Sequence, residues 1–291
     1  MAAKLTGKSV VVTGVSTGIG WGIAGVLVRN GFRVFGTVRK QADADRLQME
    51  FGEPFTSLLM DVTDQGAVAR AADQVRQAVG NSTLAGLVNN AGIAVGGPLL
   101  HLPLAEFRRQ LEVNLVAPLL VTQAFADLLG RARTRDGGPG RIINISSVGG
   151  KMGVPFLGAY AASKHGLEGM SESLRRELML YGIDVIVVGP GSVVTAIWDK
   201  AEAEGIEAYR DTEYAPSLER FSKYMIEEGR RGLSPESIGK VVLTALTARK
   251  PKARYALVPQ RFKNWTLPNL LPRRVLDRLI GKQAGLLSLA R

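Results

Sequence analysis

The sequence predicts an α/β protein with a doubly wound parallel sheet of about seven strands, flanked by helices on both faces. Short runs of apolar, β-branched residues alternate with longer stretches of helical spacing, which is the pattern of consecutive βαβ units. Some of these runs, such as 10–12 and 185–188, are apolar on both faces, as buried parallel strands are. With 291 residues and no internal repeat, the chain suits a single domain over residues 1–291.

Six of the strands can be assigned from the apolar runs, and neighbouring residues indicate where helices begin and end. The runs are Ser9–Thr13, Arg33–Thr37, Phe55–Met60, Leu84–Asn89, Arg141–Ser146 and Asp184–Val188. The first helix is expected to begin at about Gly18 and to close at Gly31, and Asp64 has the character of an N-cap residue. Two long helices are predicted from about Leu104 to Leu129 and from about Phe156 to Tyr181.

The composition excludes several kinds of chemistry. The chain has no cysteine, so disulfides, thiolate nucleophiles and cysteine-ligated metals are excluded. Its two histidines, His101 and His165, share no metal-ligand spacing, so no metal is expected. The formal net charge of +11 would attract polyanions, but the basic residues are spread along the chain without a nucleic-acid motif. We therefore expect no nucleic-acid partner.

A glycine-rich turn follows the first predicted strand. Residues 13–20 read TGVSTGIG, and the next helix is expected to start within this turn. Glycine lets the backbone approach a pyrophosphate closely, and a helix N-terminus presents unpaired N–H groups to it. The uncharged stretch between Lys8 and Arg29 is too rich in glycine for a membrane span. No cleavage site follows it, so the cytoplasm is the expected compartment.

Further motifs follow the glycine-rich turn in a fixed order. They are Asp61-Val62, NNAG at 89–92, Asn114, Ser147, YAASK at 160–164, and Pro190-Gly191 with Thr195. With this order and spacing, the chain resembles the compact, single-domain branch of the short-chain dehydrogenase/reductase family over about residues 5–197. More loosely, the segment from Lys252 onwards resembles the retinol and 17β-hydroxysteroid dehydrogenase group. The resemblance implies a Rossmann fold, NAD(P)-dependent interconversion of alcohols and carbonyls, and a homodimer or homotetramer.

Four polar residues form the predicted catalytic set: Asn114, Ser147, Tyr160 and Lys164. Tyr160 and Lys164 are four residues apart and share a helix face, where an ammonium can lower the pKa of a phenol from about 10. Tyr160 would donate a proton to the oxygen of a ketone while the Ser147 hydroxyl holds that oxygen. By resemblance, Lys164 also binds the nicotinamide ribose, and Asn114 supports a water that connects Lys164 to solvent.

The predicted cofactor-binding residues run from the glycine-rich turn to the end of the sixth strand. They are Gly14, Ser16, Thr17, Gly18, Ile19, Gly20, Arg39, Asp61, Val62, Asn90, Ala91, Gly92, Tyr160, Lys164, Pro190, Gly191, Val193 and Thr195. Where NAD-preferring relatives carry an acid, this chain has Val38, and Arg39 follows it. Because Arg39 can pair with a 2′-phosphate, NADP(H) is the preferred cofactor. Thr17 stands where many NADP-using relatives have a basic residue, which leaves NAD(H) open as a second cofactor.

Two segments fall outside the alternation of strands and helices. Since Thr195 is expected at the nicotinamide, the segment from about 198 to 233 should form a mobile lid, and the tail from about 259 to 291 should wall its apolar side. The residues expected on the inner face of the lid are Trp198, Phe221, Tyr224 and Met225. These features predict a hydrophobic secondary alcohol, or its ketone or aldehyde, as substrate, similar to a steroid, retinoid or lipid.

Two alternatives to this function stay open. One is a catalytically silent regulator that binds NADP(H) without reacting. The other is a membrane-peripheral reductase of lipid ketones, whose basic tail with Trp265 lies in a headgroup layer. We favour a tail that caps the site or packs on a partner subunit, so membrane association is not the preferred interpretation.

Overall fold

A computed structural model of the protein describes residues 8–195, 198–199, 202, 206–259 and 265–287. One parallel sheet runs through this part of the chain, in the order β3-β2-β1-β4-β5-β6-β7. Its strands are β1 (Ser9–Val12), β2 (Arg33–Val38), β3 (Phe55–Leu59), β4 (Gly86–Asn89), β5 (Arg141–Ile145), β6 (Asp184–Pro190) and β7 (Arg254–Leu257). The predicted doubly wound α/β fold is confirmed, and β7 supplies the strand that the apolar runs did not assign.

Helices cover both faces of the sheet. They are α1 (Gly18–Arg29), α2 (Gln41–Phe51), α3 (Gln65–Val79), α4 (Leu104–Leu111), α5 (Ala117–Phe125), α6 (Gly158–Glu177), α7 (Ala215–Arg230), α8 (Pro235–Thr247), α9 (Leu267–Leu270) and α10 (Arg273–Ala284). The Asp64 carboxylate accepts a hydrogen bond from the Ala67 N–H and so caps α3 as expected. Gly31 follows α1 with a φ of 81°, a conformation that favours glycine.

Two apolar layers, one on each face of the sheet, hold this arrangement together. Val10 and Val12 of β1 pack into one layer with α1 and α8, whereas Val11 points into the other with α3 and α5. All three valines are fully buried, and burying each such side chain contributes about 1.5–3 kcal/mol. Because both layers fix the strands, the carboxyl ends of β1, β4, β5 and β6 meet along one rigid edge.

The expected long helix over 104–129 is wrong as a single helix. It is divided by a π turn, Glu112–Val116, and it ends in a 3₁₀ turn, Asp127–Leu129. Asn114 lies in the π turn, and its side chain binds the backbone of Ile93 outside the helix. The second long helix ends at Glu177 and continues as a 3₁₀ turn to Tyr181. The interruption of the first helix therefore coincides with a candidate site residue.

The predicted lid contains α7, and the predicted tail packs against this helix. Phe221 of α7 packs edge-on against Phe156, with ring centroids 5.6 Å apart. The Ser217 hydroxyl of α7 donates a 2.8 Å hydrogen bond to the carbonyl of Gly285, just after α10. Tyr224 is 43% exposed, so it does not take the inward position expected for it.

Some residues of the predicted lid and tail lie outside the described part of the chain, namely 200–201, 203–205, 260–264 and 288–291. Among the described helices, we find none with the length and apolar character needed to cross a bilayer.

Candidate active site

The glycine-rich turn leaves β1 and enters α1 at the edge where the strand ends meet. Gly14 has a φ of 70°, and a β-carbon there would lie 2.9 Å from the Cα of Ala91. Gly18, with a φ of 61°, lies against the side chain of Thr195. No side chain caps the start of α1 and its first turn has no acid, so its N–H groups can bind an anion. Ser16, Thr17 and Ile19 fill the remaining positions of this turn.

The segment after β4 is tied to the glycine-rich turn. The Thr13 hydroxyl accepts hydrogen bonds from the backbone N–H groups of Asn90 and Ala91, at 2.9 and 3.0 Å. In return, the Asn90 amide donates to the carbonyls of Thr13 and Gly14, at 2.8 and 2.9 Å. Gly20 of α1 packs so closely on Gly14 that a β-carbon would collide with its carbonyl. These contacts give the predicted dinucleotide-binding residues 13–20 and 90–92 one fixed shape.

Ser147 follows β5 and begins a short 3₁₀ turn, Val148–Gly150. Its hydroxyl accepts a 3.0 Å hydrogen bond from the Gly149 N–H, which fixes the rotamer of the side chain. The same hydroxyl is hydrogen-bonded to the Tyr160 phenol at the start of α6. The structure therefore brings Ser147 and Tyr160 together, although they are separated by a loop in the sequence.

Lys164 lies one turn beyond Tyr160 on α6, as the spacing predicts. It is 5% exposed, and its ammonium donates a 2.9 Å hydrogen bond to the carbonyl of Ile145 at the end of β5. Its Nζ lies 5.8 Å from the centroid of the Tyr160 ring. Burial lowers the pKa of Lys164 to about 8. The ammonium is therefore held at the strand end, next to the phenol.

The pKa of Tyr160 differs from the sequence-based expectation. Burial raises the pKa of the phenol above its ordinary value, and the hydrogen bond with Ser147 opposes that rise only in part. The expected lowering by Lys164 is not seen, because the removal of water around the phenol has the larger effect. Tyr160 is consequently protonated at neutral pH, which is the form that can donate a proton.

Asn114 is 1% exposed, and both ends of its amide are occupied. Its Oδ1 accepts a 2.9 Å hydrogen bond from the Ile93 N–H, and its Nδ2 donates to the Ile93 carbonyl at 2.9 Å. Nδ2 also lies 3.2 Å from the Ser163 hydroxyl, which donates to the carbonyl of Tyr160 at 2.7 Å. Asn114 thus links the segment after β4 to the start of α6, and its support of a water stays a prediction.

Arg39 and Asp61 lie at the ends of β2 and β3. Arg39 is exposed, and among the described residues it makes no hydrogen bond or ion pair. Hydrogen bonds from the backbone and hydroxyl of Thr63, together with the charge of Arg39, lower the pKa of Asp61. Val62, next to it, is buried. The guanidinium of Arg39 is therefore available to an anionic ligand at this end of the site.

The segment after β6 completes the edge. Pro190 is the last residue of the strand, and the Gly191 N–H donates to the Leu257 carbonyl of β7 at 2.8 Å. Val193 forms an isolated β-bridge with Leu233, and the Val193 carbonyl accepts a 2.7 Å hydrogen bond from the indole of Trp198. Through these contacts, Thr195 is held beside Gly18 of the glycine-rich turn.

Sequence reasoning missed two residues that support these segments. Gln110 is fully buried; its Oε1 accepts from the Val95 N–H at 2.7 Å, and its Nε2 donates to the Ile93 carbonyl at 2.9 Å. Its position four residues before Asn114 is a signal that could have identified it. Arg46 of α2 donates a 2.5 Å hydrogen bond to the carbonyl of Ser16, and no local pattern indicates that contact.

These features fit a dinucleotide. The glycine turn forms a cradle that β-carbons would fill, the α1 N-terminus is open to phosphates, and Arg39 offers a cation beyond β2. The residues that would hold the nicotinamide end, Tyr160 and Lys164, lie at the same edge of the sheet. The predicted set of site residues is therefore brought together on one side of the molecule.

Comparisons with known proteins agree with this arrangement. The model of the short chain dehydrogenase family matches residues 8–205. An NADPH-dependent 3-dehydrocapnine reductase from Ornithobacterium rhinotracheale is 40% identical over 272 residues, covering 94% of this chain and 95% of that protein. Mouse retinol dehydrogenase 16 is 32% identical over 270 residues, covering 88% of this chain and 82% of that protein.

A solved structure gives the same result. A short-chain dehydrogenase from Streptomyces avermitilis superimposes with a TM-score of 0.75 at 27% identity, covering 96% of this chain and 98% of that one. The predicted resemblance, including its link to the retinol dehydrogenase group, is confirmed. This chain belongs to the short-chain dehydrogenase/reductase family and is an oxidoreductase that acts on CH–OH groups with NAD(P).

Proposed function

We propose that this protein is an NADPH-dependent reductase of a hydrophobic ketone or aldehyde. The observation that carries the proposal is the convergence of Ser147, Tyr160 and Lys164 where β5 ends, with Arg39, which has no ion-pair partner among the described residues, at the far end of the same edge. The three catalytic candidates also speak against a silent NADP(H)-binding regulator, because such a protein would not need them.

The chain's own residues would control the proton and the substrate oxygen. Ser147 would hold the carbonyl oxygen with its hydroxyl, and the protonated Tyr160 would donate its proton to that oxygen as negative charge develops. Lys164 would hold the ribose and stabilise the phenolate left behind. When bound, NADPH supplies the hydride that reaches the carbonyl carbon. Reduction requires the phenol in its protonated form, which is the form that Tyr160 has at neutral pH.

The preference for NADPH rests on charge at the end of β2. Val38 is buried and carries no acid to bind ribose hydroxyls, whereas the exposed Arg39 can bind a 2′-phosphate. The 3-dehydrocapnine reductase to which this chain is similar is itself named as NADPH-dependent. NADH would lack the phosphate that Arg39 binds, so we expect it to be the poorer cofactor.

The apolar character of the substrate rests on the lid and on the similarity to a retinol dehydrogenase. Phe156 lies four residues before Tyr160, just ahead of α6, and its ring contacts both Tyr214 and Phe221 of the predicted lid. This aromatic cluster lies close to the catalytic tyrosine in the chain and offers an apolar surface to a substrate. A named relative, mouse retinol dehydrogenase 16, points to the same class of alcohol.

The test is a substrate and cofactor screen with the full chain. NADPH and NADH oxidation would be measured with ketones and aldehydes of increasing apolar length. Each added methylene contributes at most about 0.8 kcal/mol, so kcat/KM should rise by up to about fourfold per carbon until the site is full. A flat or falling trend would contradict an apolar site. No carbonyl reduction with either cofactor would overturn the proposed function.

We also propose a homodimer or homotetramer. Apolar side chains remain exposed on the helical segments 104–125 and 158–181, including Leu104, Val116, Met179 and Leu180. Exposed apolar side chains of this kind are typical of subunit interfaces. Light scattering at micromolar concentration should give at least twice the 31.2 kDa mass of the chain. A monomer would contradict the assignment of these helices to an interface.

A further inference from the structure

An ion pair between a buried carboxylate and a partly buried guanidinium lies directly behind residues 147–152, here called the serine loop, and neither residue belongs to the catalytic set described above. Glu168 lies one turn beyond Lys164 on α6 and is 4% exposed. Arg254 of β7 binds it with two nitrogens: Nε lies 3.0 Å from each carboxylate oxygen, and Nη2 lies 3.0 Å from Oε1. Removing this carboxylate from water carries a desolvation cost that an apolar side chain would not have, so the pair is not explained by stability alone.

The Nη2 atom of Arg254, which contacts Glu168, also reaches the backbone of the serine loop. Its Nη2 donates a 3.3 Å hydrogen bond to the carbonyl of Ser147, which also accepts from the Gly150 N–H at 3.1 Å. Arg254 is the side chain that connects the outer strand to the peptide unit of Ser147. The carboxylate of Glu168 fixes the direction in which this guanidinium points.

Two glycines make room for this contact. A β-carbon at Gly189 of β6 would overlap Nη2 of Arg254 and lie 3.3 Å from the Ser147 carbonyl. A β-carbon at Gly150 would lie 3.0 Å from Cγ of Glu168. The sheet and the loop therefore leave space for the pair at these two positions.

The outer surface of Arg254 is covered by the tail. Its guanidinium lies 4.9 Å from the centroid of the Trp265 ring, a cation–π arrangement. Lys151, on the loop after Ser147, lies 3.4 Å from Glu168 and adds a second cation to the carboxylate. The pair thus contacts α6, the serine loop and the tail at once.

We propose that Arg254 and Glu168 are positioning residues that hold Ser147 in the place where its hydroxyl meets the substrate oxygen. Neither touches the reacting atoms; Arg254 acts through the Ser147 carbonyl, and Glu168 acts through Arg254. The proposal rests on the proposed role of Ser147 in the reaction. In this proposal the tail also contributes to the site, because Trp265 packs on the guanidinium of Arg254.

The first test compares Arg254→Met with a matched control, Arg141→Met. Arg141 of β5 is also partly buried and donates to two carbonyls, those of Ala245 and Ala248, both at 2.7 Å, on the side of the sheet that carries α8. Arg254→Met should lower kcat at least tenfold and leave the Kd of NADPH within about twofold. Arg141→Met should leave kcat unchanged. Equal kcat in the two variants would overturn the proposal.

A double-mutant cycle with Ser147→Ala separates positioning from a general loss of stability. If Arg254 acts through Ser147, Arg254→Met should have little effect on kcat once the Ser147 hydroxyl is gone. If the two substitutions instead lower kcat by factors that multiply in the double variant, Arg254 does not act through Ser147. If Arg254→Met does not fold, Arg254→Lys serves instead, because lysine keeps the positive charge but lacks the planar guanidinium that reaches both Glu168 and the Ser147 carbonyl.

Hydrogen exchange gives a readout that does not need activity. Exchange of the backbone amides over 147–152 should become faster in Arg254→Met and stay unchanged in Arg141→Met, because the Ser147 carbonyl loses one of its two donors. Unchanged exchange in both variants would overturn the positioning role even if the enzyme reduces ketones. If exchange is faster in Arg254→Met but the wild-type protein reduces no ketone, the positioning role holds and the proposed function is wrong.

Discussion

The edge of the sheet that carries the candidate active site and the outer part formed by lid and tail are held by different kinds of contact. Around the edge, buried or partly buried amides and hydroxyls bind backbone groups of the segments that follow other strands or helices, as Asn90, Thr13 and Asn114 do. In the predicted lid, several polar contacts are exposed, such as the ion pair of Arg230 with Glu202 and the hydrogen bond between His101 and Glu213. Buried hydrogen bonds cost 1–3 kcal/mol when broken, whereas exposed ion pairs contribute about 0–1 kcal/mol.

This difference suits two separate roles, catalysis at the edge and substrate access at the predicted lid. A catalytic edge must keep its atoms in place before the substrate arrives, and buried, mutually satisfied polar groups achieve that. The predicted lid would have to open for a bulky substrate, and aromatic contacts with weak exposed ion pairs would allow it to do so. The predictions below test whether changes at the edge affect chemistry and changes in the lid affect only the choice of substrate.

The largest effect is expected from Tyr160→Phe. The variant keeps the ring and loses the proton that would be donated, so turnover should fall by roughly 10²–10⁴-fold. The Kd of NADPH, measured by cofactor fluorescence, should change little. A variant with near-normal turnover would show that another group supplies the proton, and the edge would then lose its proposed chemistry.

The second effect is a change of cofactor preference in Arg39→Asp. A charge-assisted hydrogen bond contributes about 1.5–3 kcal/mol, so the NADPH/NADH ratio of kcat/KM should fall at least about tenfold. Lys240→Asp makes the same change of charge on the exposed face of α8 and serves as the control. If both variants keep the wild-type ratio, Arg39 does not bind the 2′-phosphate.

The third prediction concerns pH. Burial lowers the pKa of Lys164 to about 8, so the ammonium that should bind the ribose is present below that pH and is lost as the pH rises through it. The kcat/KM for NADPH, which reports groups of the free enzyme, should therefore fall above about pH 8. In Lys164→Arg the side chain stays charged, and this fall should move to higher pH. Identical profiles in the two enzymes would assign the fall to another group.

The smallest effect is expected in the lid. Phe221→Ala removes one ring of the aromatic cluster with Phe156, so the dependence of kcat/KM on ketone length should become weaker by a few-fold. Activity on the shortest ketones should be kept. Tyr224→Ala, an exposed position on the same helix, is the matched control. A loss of activity on all ketones alike would mean that the lid helix is part of the catalytic edge.

The sequence was most informative where one short segment carries several constraints. The glycine turn, the YAASK segment and the spacing of strands and helices all lie within local stretches, and the fold that they predict is confirmed. The order and spacing of these motifs also predicted that the four catalytic candidates lie at one edge of the sheet. The β7 strand was missed because its four residues, Arg254–Leu257, include no β-branched residue and begin with a charged one, so they do not form the kind of apolar run that marked the other strands.

Other features could not be predicted because they depend on contacts across the fold. Glu168 and Arg254 are 86 residues apart, and charged residues are ordinarily expected on the surface. The exposed position of Tyr224 depends on how α7 packs, which spacing alone does not determine. The raised pKa of Tyr160 likewise follows from burial, a property of the assembled site and not of the motif.

The π turn at Glu112–Val116 has a consequence for the predicted subunit contact. One additional residue in a helical turn rotates every later side chain by about 100°. The apolar positions of α4 and α5 therefore belong to two stripes that differ in phase, and a helical wheel drawn through residues 104–125 would merge them. Leu104 lies before the π turn and Val116 is its last residue, and both are exposed. A partner subunit that covers one apolar stripe therefore need not cover the other.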